Sequence, residues 1–499
     1  MIEALRVAKI AFFTALIVTL AASPGSAAEN CPSDPAWLQG TPNVSFAKPP
    51  ARPGPDCNFY TPAWQIFLGA TRNVSSSGPY RPAFLNYDTI ESMFGSAPAV
   101  FAKFSAMKVG RLSLAPRALK GSNDAQGSAA GATGKLRSKV VEINAGARQA
   151  GLNGLLVDQN GNPIFYSIHV NQSFADFVKT NFIKESSEKT KAAILAANEE
   201  LTFPKGAVEF KSAWQIVPNG VDTQDYITAP ATVPMLKASA DQLVTDPSVP
   251  PRDVLVRLLS LHVVFVLEGH PEFIWATFEH VDKDGVRDLA PAASAMPAGD
   301  DGLPGGVDGP VATKDFPLYK ANTPASQSMI PPTDAQLIAK FDPVTQTFTK
   351  GGVLQTSIYR RFPASKQSNS PQDNPEEDGE LASLNGHLTD DFKAASADDR
   401  RRNYRLVGAV WLDKPEVSFK LGQALRNPEG VTGEDDGALV VGEDGLSSMA
   451  MESFTQDSFV NCLACHDARR VSSPEGGVLI EKKKINVSHV LSRYLESLK

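Results

Sequence analysis

Two cysteines three residues apart, with a histidine directly after the second, constrain this chain more than any other feature. The stretch "NCLACHDARR", residues 461–470, contains Cys462-x-x-Cys465-His466. On a helical turn, residues three and four apart share a face, so this spacing presents two thiols and an imidazole together. It is the attachment signature of a c-type haem, in which the thiols form thioethers with the porphyrin vinyl groups and the imidazole binds the iron. Zinc is the rival use of a Cys-x-x-Cys pair, but zinc takes four ligands and no second cysteine pair stands nearby. The sequence therefore predicts one covalently attached haem c per chain. Cys462, Cys465 and His466 bind the cofactor, and His466 is the proximal ligand of the haem iron.

The N-terminus agrees with that chemistry. Arg6 and Lys9 precede an apolar run from Ile10 to Ala22, and Ser26-Ala27-Ala28 follows as a cleavage site, so residues 1–28 read as a secretory signal peptide. The apolar run is too short for a membrane span, which needs roughly 20 residues. Glu29 and Asn30 before Cys31 argue against a lipoprotein. Covalent haem attachment in bacteria takes place outside the cytoplasm, so the mature protein is expected in the periplasm. There Cys31 and Cys57 are free to form a disulfide, which accounts for all four cysteines of the chain.

Charge and length narrow the function classes. Without the signal the chain carries 46 basic and 54 acidic residues, a net charge of −8. That balance offers no basic footprint for nucleic acid or an anionic membrane. No later apolar run is long enough to span a bilayer, so no membrane span is expected after signal removal. About 470 mature residues suffice for two or three domains or one elaborated domain. Segments 120–135, 298–310 and 365–380 are rich in Gly, Ser, Pro and acids and read as loops. The expected organisation is a signal peptide at 1–28, an N-terminal region at 29–135 with the disulfide and a Gly/Ser-rich loop, a body at 136–440, and a haem-binding segment at 441–499.

Periodicity predicts α+β, with a largely antiparallel sheet, helices, and a short C-terminal helical haem-binding segment. "LLVDQNGNPIFYSIHV" reads as a hairpin about Asn-Gly, and residues 173–201 read as a helix. Residues 207–217 and 403–412 read as strands. Residues 261–281 form two strongly β-prone runs about a Gly-His-Pro turn. "DKDGVRD", 282–288, lacks the third early acid and the closing Glu of a calcium loop and reads as a turn.

The segments "VEFKSAW" (208–214), "FIWATFEHVD" (273–282), "SMAMESF" (448–454), "NCLACH" (461–466) and "VSHVLSRY" (487–494) resemble, in that order, a family of large secreted bacterial mono-haem proteins labelled cytochrome c family protein. The resemblance covers most of the second half of the chain and implies a haem without naming a substrate.

The second axial position of the iron is open to several candidates. Only 33 residues follow His466 and none is Met, so the usual distal methionine loop is absent. His489, the sole histidine of that tail, falls in the first turn of a terminal helix capped by Ser488 or Asn486, and is the first candidate distal ligand. Met451 is the alternative, although Met449 and Met451 also suit the core. His280 follows Glu279, but strand alternation sends neighbours to opposite faces. Whether His262 and His280 share a face depends on the register. No nucleophile elbow, P-loop, dinucleotide fingerprint or second haem motif is present, and no catalytic residue is assigned. The expected function is periplasmic one-electron transfer through the haem iron to another redox protein. The alternative is a peroxidase- or oxidase-like haem enzyme, with an open distal site for a small-molecule substrate.

Overall fold

The computed structural model describes residues 30–50, 55–77, 79–89, 93, 112–113, 150, 154–181, 202–240, 242–291, 309–324, 331–354, 357–360, 375–395, 398–413, 440–442, 447–456, 462–464, 466, 471–472, 478–480, 484–488 and 490. The signal segment, Cys465, His489, and most of the three loop segments and of the expected terminal helix lie outside them, as do residues 182–201 of the helix expected at 173–201.

The β-prone run at 261–281 is the centre of the molecule. It forms most of β8 (Arg252–Leu267) and β9 (His270–His280), an antiparallel pair in which Leu261 faces Phe278, Val263 faces Ala276 and Phe265 faces Ile274. The turn falls at Glu268-Gly269, ahead of the Gly-His-Pro expected from sequence. Gly269 adopts φ +85, which costs a glycine nothing, whereas His270 and Pro271 open β9. Sixteen residues make β8 long enough to hold β4 (Val208–Ile216) along one edge and, on the other, β9 and then β5 (Thr228–Val233).

Beyond β4 lie β3 (Phe165–Val170) and the short β1 (Asp88–Thr89). Beyond β9 lie β10 (Tyr404–Leu412) and β11 (Val440–Gly442). All these pairings are antiparallel; β2 (Leu112–Ser113) joins β5 in parallel, and β6 (Leu236–Ser239) and β7 (Gln242–Thr245) pair antiparallel in a separate two-stranded sheet. The protein is thus α+β with a mostly antiparallel sheet, as its periodicities predict.

At "DQNGNP" the tight turn forms, but the first of the two runs contributes only the bridge Val157–Pro163. Leu155 and Val157 pack instead with Leu337 and Phe341 of the helix Asp334–Lys340 and its C-terminal edge, and Pro163 has no N–H to extend a ladder. The segment after β9 is a turn: Asp282 Oδ1 accepts the backbone N–H of Asp284 and of Val286.

One face of the sheet packs on α1 (Cys57–Thr71), with the 21-residue helix Pro375–Ala395 beside it. Phe67 stacks on Phe278 at 4.2 Å, and Phe59 on Trp411 at 3.9 Å. Cys31 and Cys57 are joined as a disulfide with Cα atoms 5.6 Å apart. Around it, Cys57 N donates to Glu380 and His387 Nδ1 donates to Cys31 O, so the N-terminal segment is tied to both helices.

His169 on β3 lies in this well-packed layer against Phe84, and its Nδ1 is buried without a hydrogen-bond partner. Burial pushes its pKa down from 6.5 to about 4. The unfolded chain accepts the proton near 6.5 and the folded one refuses it until about 4, so stability falls as pH drops through that window. Over the whole window the loss attributable to His169 approaches about 3 kcal/mol, at 1.36 kcal/mol per pKa unit. Urea unfolding of the protein and of His169→Gln at pH 7 and pH 4.5 measures it. The parent should lose more stability than the variant, and equal losses would remove His169 as the cause.

Candidate haem-attachment site

The opposite face of the sheet carries the cysteine-histidine motif. Cys462–Ala464 forms one tight helical turn, and His466 N bonds to Cys462 O at 2.9 Å. That contact closes a turn of α-helical span, which sets Cys462 and His466 on one side of it. Leu463 points inward, fully buried, and with Ile485, Val487 and Val490 it packs against Val264, Val266, Phe273, Trp275, Val407 and Leu412. The motif is therefore seated on strands β8, β9 and β10 through its apolar residue, while Cys462 is partly exposed.

His466 is oriented by two contacts. Its Nδ1 lies 3.1 Å from Val487 O, and because a carbonyl only accepts, Nδ1 carries the proton and the ring lone pair resides on Nε2. This is the tautomer that an Nε2-bound metal requires, with the backbone carbonyl as the outer partner. The ring also lies 4.0 Å from that of Trp275, tilted by 31°. Trp275 is held in turn by its indole N–H, which donates to Glu272 O.

The tail that supplies Val487 O is pinned to the sheet. Lys484–Val487 is a single tight turn, after which Ser488 Oγ donates to Glu209 Oε2 at 2.8 Å and accepts from Val490 N. Most of the terminal helix that the sequence predicts behind a Ser488 or Asn486 cap lies outside the described residues. His489 itself is outside the described residues. Met451 is buried to 1% exposure in a cluster with Leu156, Ile164, Tyr166 and Phe454, separate from the cluster that holds Leu463 and Cys462. The structure therefore gives Met451 a packing role.

A polar row crosses the same face one step from Trp275. His262, opposite Thr277, hydrogen-bonds through Nδ1 to Thr277 Oγ1 at 2.9 Å and through Nε2 to Glu452 Oε1 at 3.0 Å. Glu452 Oε2 accepts Ser448 N, and a quarter of the Glu452 side chain is exposed. Burial pushes the Glu452 carboxyl up, but His262, by charge and hydrogen bond, together with Lys211 and Ser448 N–H, outweighs it and holds the carboxyl below its usual range. Register settles the other histidine. Thr277 and Glu279 share a face and His280 takes the opposite one, where it bonds to Asp288 and stacks on Tyr226 at 3.6 Å. Glu279 instead takes Met449 N and Arg287.

The sequence alone missed Trp275, Glu209 and the His262–Glu452 pair. Each joins elements far apart in the chain, and only the alternation within β8 and β9 hints at them. Among the described residues, one group of three has the spacing of a metal site, Cys31, Cys57 and Glu380, and its two sulfurs are consumed by the disulfide. The residue types of the motif suit a haem: with the proton on Nδ1, Nε2 is the ring nitrogen that would bind iron, and an aromatic and apolar wall lies beside the imidazole. No family model, no curated protein and no solved structure matches this chain.

Proposed function

We propose that this protein is an exported mono-haem c-type cytochrome that passes single electrons to another redox protein in the periplasm. The reading rests on one observation above others: in the Cys-x-x-Cys-His turn, His466 is held by Val487 O in the tautomer that binds iron through Nε2. Haem, when bound, supplies the one-electron ferric-ferrous couple. Cys462 and Cys465 would hold it covalently. Leu463, seated among β8, β9 and β10, anchors the turn, and Trp275 fixes the plane of the imidazole. The disulfide and the signal-like N-terminus support export.

A second reading, a haem enzyme with an open distal position, draws on the His262–Glu452 pair. A buried imidazole bonded to a partly exposed carboxylate is the kind of arrangement that relays a proton. Absorption spectra with and without carbon monoxide separate the two. Electron transfer calls for low-spin iron indifferent to the gas; an enzyme calls for high-spin ferric iron and rapid gas binding. If His489 is the distal ligand, His489→Ala should convert the spectrum from low spin to partly high spin and admit carbon monoxide. A variant spectrum identical to the parent's would remove His489 from the iron.

A further inference from the structure

Four arginines are buried among the described residues, and two of them are well satisfied. Arg401, 5% exposed, pairs with Asp399 and donates to Leu68 O and Leu38 O. Arg257, 6% exposed, donates to Gln215 Oε1 and lies over the ring of Tyr226. Arg287 and Arg360 differ. Arg287 spends Nε and Nη2 on Glu279 Oε2, yet its Nη1 is buried without a partner. Arg360, 9% exposed, has both Nε and Nη1 buried without a partner, and among the described residues no carboxylate pairs with it.

The two segments are adjacent. Arg360 N donates to Pro291 O, Leu318 N donates to Leu289 O and Ile358 N donates to Leu318 O, so residues 287–291 and 358–360 are laced together through Leu318. The described acids nearby are committed elsewhere. Glu279 accepts Met449 N on one oxygen and pairs with Arg287 through the other, Asp288 holds His280, and Asp282 caps its own turn. Among the described residues, Glu279 pairs with Arg287 alone, and Arg360 has no carboxylate of its own in a buried place. Burial, then the Arg287 charge, pulls the Arg360 pKa down to about 10, against the pull of Glu279. The residue still carries its proton at neutral pH, and a buried charge without a counterion is costly.

We infer that Arg360 and Arg287 form an anion site for a carboxylate, held by the unpartnered Nε and Nη1 of Arg360 and Nη1 of Arg287. The planar guanidinium fork of Arg360 matches the two oxygens of a carboxylate. Two sources offer that group: a small free carboxylate, or a propionate of the haem. The first is independent of the haem reading and the second rests on it.

The test is thermal unfolding of the full-length, haem-loaded protein, titrated with acetate at constant ionic strength, for the parent, Arg360→Gln and Arg360→Lys. For a free carboxylate, the parent midpoint should rise saturably with acetate, as ligand linkage requires. Arg360→Gln should show no rise, should start above the parent without acetate because its buried charge is gone, and should fall below it at saturation. Arg360→Lys, which keeps charge but loses the fork, should respond weakly and guards against a simple folding defect. For a haem propionate, acetate should leave all three proteins unchanged. Instead Arg360→Gln should introduce a pH-dependent slope in the reduction potential near neutrality that the parent lacks, because the released propionate begins to titrate. Acetate responses equal in the parent and Arg360→Gln, or no acetate response together with potentials of identical pH dependence, would overturn the site. Haem staining of the same samples reports separately on the haem reading, and the acetate titration stands even for a chain without haem.

Discussion

Replacement of both Cys462 and Cys465 by serine is expected to abolish covalently retained haem entirely. A thioether needs a sulfur nucleophile at each vinyl group, and serine hydroxyls at the same positions do not add to them. The only other cysteines, Cys31 and Cys57, are consumed in their own bridge on the far face of the sheet, so nothing in the chain can substitute. Denaturing gels stained for haem peroxidase activity should show a band at full-length mass for the parent and none for the double variant. Because the disulfide is untouched, thiol labelling of the denatured, unreduced variant should find no reactive cysteine, which separates lost attachment from a misassembled chain. A stained band of undiminished intensity in the double variant would refute the attachment assignment.

The haem motif is legible in the sequence because its chemistry is local. Five successive positions fix two thiols and an imidazole on one turn, and the structure adds the backbone bond from His466 N to Cys462 O. Strands β9 and β10 are equally legible because Val, Phe, Trp and Ile crowd into β-prone runs, and β4 because its residues alternate. The turn between β8 and β9 is misplaced for a simple reason. Gly269, His270 and Pro271 are all turn-prone, and only the cross-strand register decides that Gly269 takes the left-handed position. The environment of the motif is not legible at all. His262 meets Glu452 across 190 residues, Ser488 meets Glu209 across 279, and Trp275 reaches His466 from another element. No periodicity encodes pairings of that range, and a one-residue slip of β9 would turn Trp275 and Thr277 to the other face.

Glu279→Gln is expected to cost about 3–5 kcal/mol of folding stability, the range for removing one partner of a buried ion pair. Glu279 is fully buried; its oxygens accept Met449 N and Arg287 Nε, and Arg287 Nη2 lies 2.7 Å from the carboxylate as an ion pair. A glutamine amide retains one acceptor. If that oxygen stays with Met449 N, the NH2 group faces the donors of Arg287, and the guanidinium loses its Nε bond and its counterion, keeping only the contact of Nη2 with Ser447 O. Urea unfolding should show a lower midpoint with the slope unchanged. The surface pair Lys205–Glu268, with both side chains more than half exposed, sets the contrast. Glu268→Gln should change stability by no more than about 1 kcal/mol, because water already screens that pair. Combining Glu279→Gln with Arg287→Gln should cost less than the sum of the two single changes, since the second removes the charge that the first leaves stranded. Strict additivity would mean that the pair contributes through packing alone, and the stability here would then have to be assigned to the apolar residues around Met449 and Leu289 rather than to this buried ion pair.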